Sequence, residues 1–199
     1  MKNTVYFRAF EPEDANLIYK WMNDDDLKKM SIGLNKRICI EDALNWVNAK
    51  KVQQEYQIWW AICAKDSNTM IGYAYLCDIH YINRSANLGG IIIADPNYRD
   101  GLAWIETYIF AMEYAFERLN LNRLYGSYLL EHPMTGIMSD CTFFKTEGVL
   151  REAIFKNGKY HDEIINSLLS SEYFLHKQNG DYEVNSIMKR LIQKIRTKK

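Results

Sequence analysis

The sequence predicts a single mixed α/β domain, α+β in arrangement, and three observations carry that expectation. Apolar alternation and helical periodicity interchange along the chain in the order β-α-α-β-β-β-α-β-α-β-β, with no internal repeat or low-complexity linker between them. From Asn87 to Phe116 the chain reads as a buried strand, a turn carrying Asp95-Pro96 and Arg99-Asp100-Gly101, and a long amphipathic helix. Such an order offers helix N-terminal amides to a phosphate. Near the end, Asn157-Gly158 separates two strand-like runs, the strongest short signal for a hairpin. With 199 residues and 48% hydrophobic content, one sizeable core is within reach.

The elements follow in order. Thr4 to Phe10 alternates as a first strand. Glu11-Pro12-Glu13-Asp14 opens a helix, with proline suited to its first turn and acids complementing the dipole. Ala15, Ile18 and Met22 are its expected buried stripe, and a polar break follows at Asn23 to Asp26. A second helix is expected over Glu41 to Lys51, with Leu44 and Val47 inward. Trp59 to Lys65 and Met70 to Leu76 read as strands joined by the turn Asp66-Ser67-Asn68. Leu88 to Ile93 belongs to the fourth strand. Ile105, Tyr108, Ile109, Met112, Phe116 and Leu119 give a helix over Ala103 to Leu119 one continuous apolar face. Arg123 to Glu131 reads as a fifth strand, Thr135 to Thr142 as a short helix, and Val149 to Phe155 with Tyr160 to Leu169 as the closing hairpin.

Bulk properties exclude several classes. MKNTVYFRAF lacks a secretory signal pattern, and no run of about 18 apolar residues could span a bilayer. Cys39, Cys63, Cys77 and Cys141 form no CxxC pair and read as reduced packing thiols of a cytoplasmic protein. His80, His132, His161 and His176 are equally scattered, so no metal site is signalled. The formal charge is zero, but six basic and no acidic residues fall in Lys189 to Lys199, leaving 19 basic against 25 acidic residues elsewhere. An acidic body argues against nucleic acid as the main partner and is compatible with a cationic amine.

Phe10 to Asp14 with Trp21 to Asp24, Tyr81 to Gly89, Tyr114 to Arg123, Glu147 to Glu152 and Phe155 to Tyr160 together resemble segments of the GNAT acyltransferase superfamily, in its branch acting on ribosomal proteins, amino sugars and polyamines. Phe10-Glu11-Pro12-Glu13-Asp14 with Trp21-Met22-Asn23-Asp24 looks like its opening strand and helix. Tyr81 to Gly89 resembles the approach to the fourth strand, and Tyr114 to Arg123 the end of the third helix. Glu147 to Glu152 and Phe155 to Tyr160 resemble the closing hairpin. The resemblance covers roughly residues 4 to 174. It implies a mixed, mostly antiparallel sheet of about seven strands and a domain over residues 1–175; past the end of the resemblance, the residues themselves read as a basic amphipathic helix over 176–199. The resemblance also implies transfer of an acetyl group from acetyl-CoA to a primary amine: an amino sugar, a polyamine or a protein N-terminus.

Direct transfer needs a proton acceptor for the amine, a hydrogen-bond donor for the thioester carbonyl and a source of protons for the thiolate. The family architecture places the carbonyl donor on the fourth strand, where it parts from the fifth. Gly89-Gly90 fits such a spot, or else makes room for a neighbouring aromatic ring. The resemblance assigns Ile91, Ile92 and Ile93 to the pantetheine arm, and Arg99, Asp100, Gly101, Leu102, Ala103 and Trp104 to the pyrophosphate. Two expected glycines are replaced by Leu102 and Trp104, so the tryptophan either obstructs the pyrophosphate or turns into the core. The next family motif falls on residues 132 to 144, where His132 replaces asparagine, Ser139 a thiolate-protonating tyrosine and Phe143 a glycine. His132 is the candidate base or a turn residue, and Ser139 the candidate, short-reaching acid. Asn23 and Asp24 fall where relatives shape the acceptor pocket.

In the tail, Asp181 is the expected cap of a helix whose stripe is Val184, Ile187, Met188, Leu191 and Ile195. That stripe docks on the domain or on a second subunit, the latter making a homodimer. Its basic face also suits an anionic membrane surface or nucleic acid. A second functional reading keeps the GNAT fold without a coenzyme site, making the chain a binding or regulatory module.

Overall fold

Val5–Arg8 forms β1, and Pro12, which has no N–H to leave unpaired, opens a 3₁₀ turn over Pro12–Asp14. The computed structural model describes residues 4–29, 31–33, 36–52 and 55–197. The buried Asp14 carboxylate closes this turn. It accepts the Glu11 N–H at 2.8 Å and a two-pronged bond from Arg8 at 2.7 and 2.8 Å. Helices α1 (Ala15–Met22), α2 (Asp25–Lys28) and α3 (Ile40–Val52) follow.

Seven strands make one sheet in the order β1-β2-β3-β4-β5-β7-β6, with β2 at Ile58–Ala64, β3 at Met70–His80 and β4 at Ser85–Ile93. The others are β5 at Arg123–Leu129, β6 at Lys145–Lys156 and β7 at Lys159–Leu169. β1/β2, β2/β3, β5/β7 and β6/β7 are antiparallel, and β4/β5 is parallel. The sheet is thus mixed and mostly antiparallel, as expected. The parallel ladder joins Ser85–Asn87 to Arg123–Tyr125, while β4 continues to Ile93 and β5 to Leu129.

The chain divides into two compact units, residues 1–79 with 89–111 and residues 80–88 with 112–199. In the first, every residue of β2 is buried because both of its faces are covered. Trp59, Ala61 and Cys63 join Ile18, Trp21, Ala43 and Val47 of α1 and α3 in one cluster. From the other face Trp60 meets Phe110 of α4 (Leu102–Glu113) edge-on at 5.2 Å. Two expected core positions shift. Met22 is only half-buried and Trp21 takes its place, while Leu44 is exposed because α3 docks through Ala43 and Val47, one turn apart. The polar break after α1 is itself the start of α2.

In the second unit, the expected long helix changes winding, continuing past Glu113 as a π-helical turn over Tyr114–Arg118. Phe116 in this turn stacks on Tyr173 of α6 (Ser170–Gln178), with ring centroids 4.7 Å apart. The β6/β7 hairpin turns on Asn157 and Gly158, both at positive φ, as a two-residue type I′ turn demands. α7 (Val184–Thr197) packs on α5 (Thr135–Cys141) through buried Ile187 and Leu191. Arg190 Nε donates to the Cys141 carbonyl at 3.0 Å, and Lys194 pairs with Asp140 at 2.7 Å. Asp181 does not cap α7. Its carboxylate pairs instead with His176 at 2.8 Å and Arg190 at 3.4 Å. Lys198 and Lys199 lie outside the described residues.

Candidate active site

In the first unit, the end of β4 is held by the Ala94 and Asp95 amides, which both donate to the Ile71 carbonyl at 2.8 and 3.0 Å. Along β4 the glycine pair has a steric cause: a Cβ on Gly89 would fall 2.0 Å from the ring of Tyr75. Of the two expectations for Gly89-Gly90, accommodation of an aromatic ring is therefore what the structure displays. Ile91 and Ile92 are half-buried and Ile93 is buried.

The turn after β4 is built from its own polar groups. Asp95 accepts the Asn97 amide at 2.9 Å and caps a 3₁₀ turn over Pro96–Tyr98. Arg99 folds back, Nε donating to the Ile93 carbonyl at 2.9 Å and Nη2 to the Ala94 carbonyl at 2.6 Å. Gly101 sits at φ 96°, which a side chain would strain, and this bend delivers the chain into α4. Asp100 Oδ1 accepts the Leu102 amide at 2.9 Å, satisfying one of the orphan donors at the helix start. Trp104 is half-buried and stacks on Tyr108, one turn further along α4, at 4.5 Å. Glu106 is buried and accepts the Thr4 amide at 2.8 and 3.0 Å, the Thr4 hydroxyl at 3.1 Å and the Val5 amide at 3.0 Å. A carboxylate inside α4 thus anchors the start of β1.

The two acceptor-side candidates are structurally engaged. Asn23 exchanges hydrogen bonds with the backbone of Ile38, at 2.9 and 3.0 Å, and so ties down the segment before α3. Asp24 caps α2 by accepting the Asp26 and Leu27 amides at 2.9 and 3.3 Å.

Sequence reasoning missed the largest feature of this unit, a wall of aromatic rings. Trp59 stacks on Tyr75 at 3.9 Å, Trp46 meets Trp59 edge-on at 5.0 Å, and Tyr73 touches Phe10, Trp21, Trp46 and Trp59. Burial pushes the Tyr73 phenol up to about 12 and raises that of Tyr75 as well, so both stay protonated. The available signal was the alternation of Tyr73, Tyr75 and Cys77 along β3, which puts all three on one face.

In the second unit, His132 Nδ1 accepts the Met134 and Thr135 amides at 3.3 and 3.1 Å and lies 3.0 Å from the Thr135 hydroxyl. The ring therefore closes the turn that starts α5, leaving Nε2 as the nitrogen that turn does not use. Burial depresses its pKa, which keeps the imidazole neutral at pH 7. Ser139 is buried inside α5, and its oxygen accepts Asn166 Nδ2 of β7 at 2.5 Å. A second group missed in the sequence is Tyr128 of β5. Its hydroxyl would lie 3.3 Å from a Cβ placed on Gly136, and burial with nearby Asp140 raises its pKa.

Among the described residues, no helix is long and apolar enough to cross a membrane and no three His, Cys, Asp or Glu side chains are grouped to hold a metal ion. Residues 4–136 match the acetyltransferase (GNAT) domain family. The spermidine N(1)-acetyltransferase of Vibrio cholerae serotype O1 is 30% identical over 174 residues, which cover 87% of this chain and 97% of that protein. The uncharacterized N-acetyltransferase YoaA of Bacillus subtilis is 26% identical over 167 residues, covering 83% and 93%. The crystal structure of spermidine N-acetyltransferase from Vibrio cholerae in complex with CoA and spermine is similar with a TM-score of 0.77 and 26% identity, covering 86% of this chain and 98% of that one.

Proposed function

This chain belongs to the GNAT acetyltransferase family and is an N-acetyltransferase, and we propose that it moves the acetyl group of acetyl-CoA onto a primary amine of a polyamine. Of the three acceptor classes expected from the sequence, the polyamine is favoured by the match to a spermidine acetyltransferase along nearly its whole length. The structural observation that carries the reading is the aromatic wall, in which Trp59 stacks on Tyr75 and Tyr75 covers Gly89. Flat π faces beside a strand assigned to the coenzyme suit the alkyl stem and ammonium groups of such an acceptor.

Each group then has a proposed task. The neutral amine nitrogen attacks the thioester carbonyl carbon, the C–S bond breaks, and an amide and a thiolate result. The backbone of Ile91–Ile93 holds the pantetheine arm. The N-terminal amides of α4 at Ala103 and Trp104 meet the pyrophosphate, since Asp100 already holds that of Leu102. Arg99 acts by closing the turn rather than by pairing with phosphate. His132 accepts the Met134 and Thr135 amides at Nδ1, so its neutral ring carries its proton on Nε2 and serves the turn rather than acting as the base, and water takes the amine proton. Ser139 contributes through its bond with Asn166, as a positioning group. Asn23 and Asp24 shape the acceptor entrance from the α1–α3 side.

Calorimetric titration of acetyl-CoA, followed by thiol release with spermidine as acceptor, tests the reading. Saturable binding and spermidine-dependent thiol release are expected. Binding without release on any polyamine would overturn the acceptor class. Silence at millimolar acetyl-CoA would leave the second reading, a binding module.

A further inference from the structure

Lys50 closes the aromatic wall with a charge. It lies one helical turn after Trp46 on α3, and its ammonium sits 4.6 Å from the ring centroid of Trp59 and 5.7 Å from that of Trp46. Both distances fall inside the roughly 6 Å over which a cation is drawn to an aromatic face. The two indoles are nearly perpendicular, at 83°, so they enclose the ammonium from two directions. Gln57 Oε1 adds an acceptor at 3.1 Å from Nζ, and the same oxygen accepts Trp59 Nε1 at 2.8 Å. The indole therefore aims the carbonyl at the charge. Cys77 also interacts electrostatically with Lys50, but burial pushes its thiol up to about 12, so it brings no negative charge at neutral pH.

We propose that Trp46, Trp59 and Gln57 form an alkylammonium site that Lys50 keeps filled from within the chain, making Lys50 a residue that determines which polyamines are accepted. This rests on the polyamine reading above. The rings that hold Lys50 belong to the wall that reaches Gly89 through Tyr75, so a charge there is felt by an acceptor lying along that wall. A resident ammonium repels a second one and occupies the π faces it would use. Acceptors with fewer distal charges are favoured as a result. Removing Lys50 vacates a site whose carbonyl remains oriented, because Trp59 Nε1 and not Lys50 alone fixes Gln57.

Two measurements on the full chain decide this. Tryptophan fluorescence is titrated with n-butylammonium chloride at constant ionic strength, in wild type, Lys50→Ala, Lys50→Ser and Lys50→Met. The alanine and serine variants are expected to show saturable quenching about tenfold tighter than wild type, the scale of a desolvated cation–π contact. Lys50→Met refills the space without charge and is expected to show none. In turnover, the kcat/KM ratio of spermine over 1,4-diaminobutane is expected to rise about tenfold in Lys50→Ala, with KM carrying the change. Quenching no different from wild type in both shortened variants, or an unchanged ratio, overturns the proposal. If the wild type acetylates no polyamine, the acceptor reading fails and the fluorescence titration alone decides the ammonium site.

Discussion

The phenyl ring of Phe143 lies flat on the imidazole of His176, centroids 3.6 Å apart and planes within 9°. Arg190 covers the same phenyl ring at 4.7 Å, and Tyr182 meets it edge-on at 6.1 Å. All three partners come from the segment that begins with α6. A phenylalanine standing where the family motif has glycine thus has a structural cause, since it anchors the C-terminal segment to the turn after α5. The backbone carries the cost, with Phe143 at φ 65°.

Phe143→Gly relieves that strain, worth about 1–2 kcal/mol, and forfeits a half-buried ring, worth about 1.5–3 kcal/mol when fully buried. With about 0.5–1.5 kcal/mol more for the stack on His176 and about 0.5–1 kcal/mol for the Arg190 contact, a net loss of about 1 kcal/mol is expected, read as a lower urea midpoint at unchanged slope. A midpoint equal to or above wild type would show that the ring anchors nothing.

Glu106→Gln tests the link between α4 and β1. The amide keeps one acceptor oxygen but turns an NH₂ toward the donors of Thr4 and Val5. Hydrogen bonds to a charged group contribute about 1.5–3 kcal/mol, so a loss in that range is expected in chemical denaturation, with faster amide exchange at Val5.

Glu147 gives the pH dependence its sign. Hydrogen bonding to Arg123, and next to Ser167, lowers its pKa from 4.5 to about 2 in the folded chain. A depressed carboxylate stabilises the fold fully above its unfolded value, and that contribution is lost as pH falls from 4.5 toward 2. The side chain is 40% exposed, so solvent screening keeps the effect small. Arg123→Ala is expected to return the Glu147 titration, followed by NMR, toward the ordinary carboxylate range; an unmoved midpoint would sink the assignment to Arg123.

Trp104→Gly separates obstruction from packing. The indole stacks on Tyr108, and replacing it loses about 0.5–1.5 kcal/mol of ring contact plus about 1 kcal/mol of helix propensity. Lower thermal stability with unchanged acetyl-CoA affinity is expected from calorimetry on the variant. A gain in affinity would show that the wild-type ring stands in the coenzyme's way.

Much of the architecture was legible because periodicity reports burial. The alternation around Met70–Leu76, the apolar stripe from Ile105 to Phe116 and the Asn157-Gly158 turn each specify an element from neighbours a few residues away. Local rules failed where a competing partner decided the outcome. Asp181 looks like a helix cap, but His176 and Arg190 draw its carboxylate away. Leu44 looks like core, but the partner face of α3 is set by Ala43 and Val47.

By itself the sequence determined the seven strands and the main helices between them, though not the short α2 or α6, because these depend on short-range spacing of residue types. Tertiary structure alone decided why Gly89 must be glycine, why Phe143 is tolerated and how Trp46, Trp59 and Gln57 gather around Lys50. Those arrangements join side chains from separate strands and helices. Their energies depend on distance and ring orientation in space, which no linear spacing encodes.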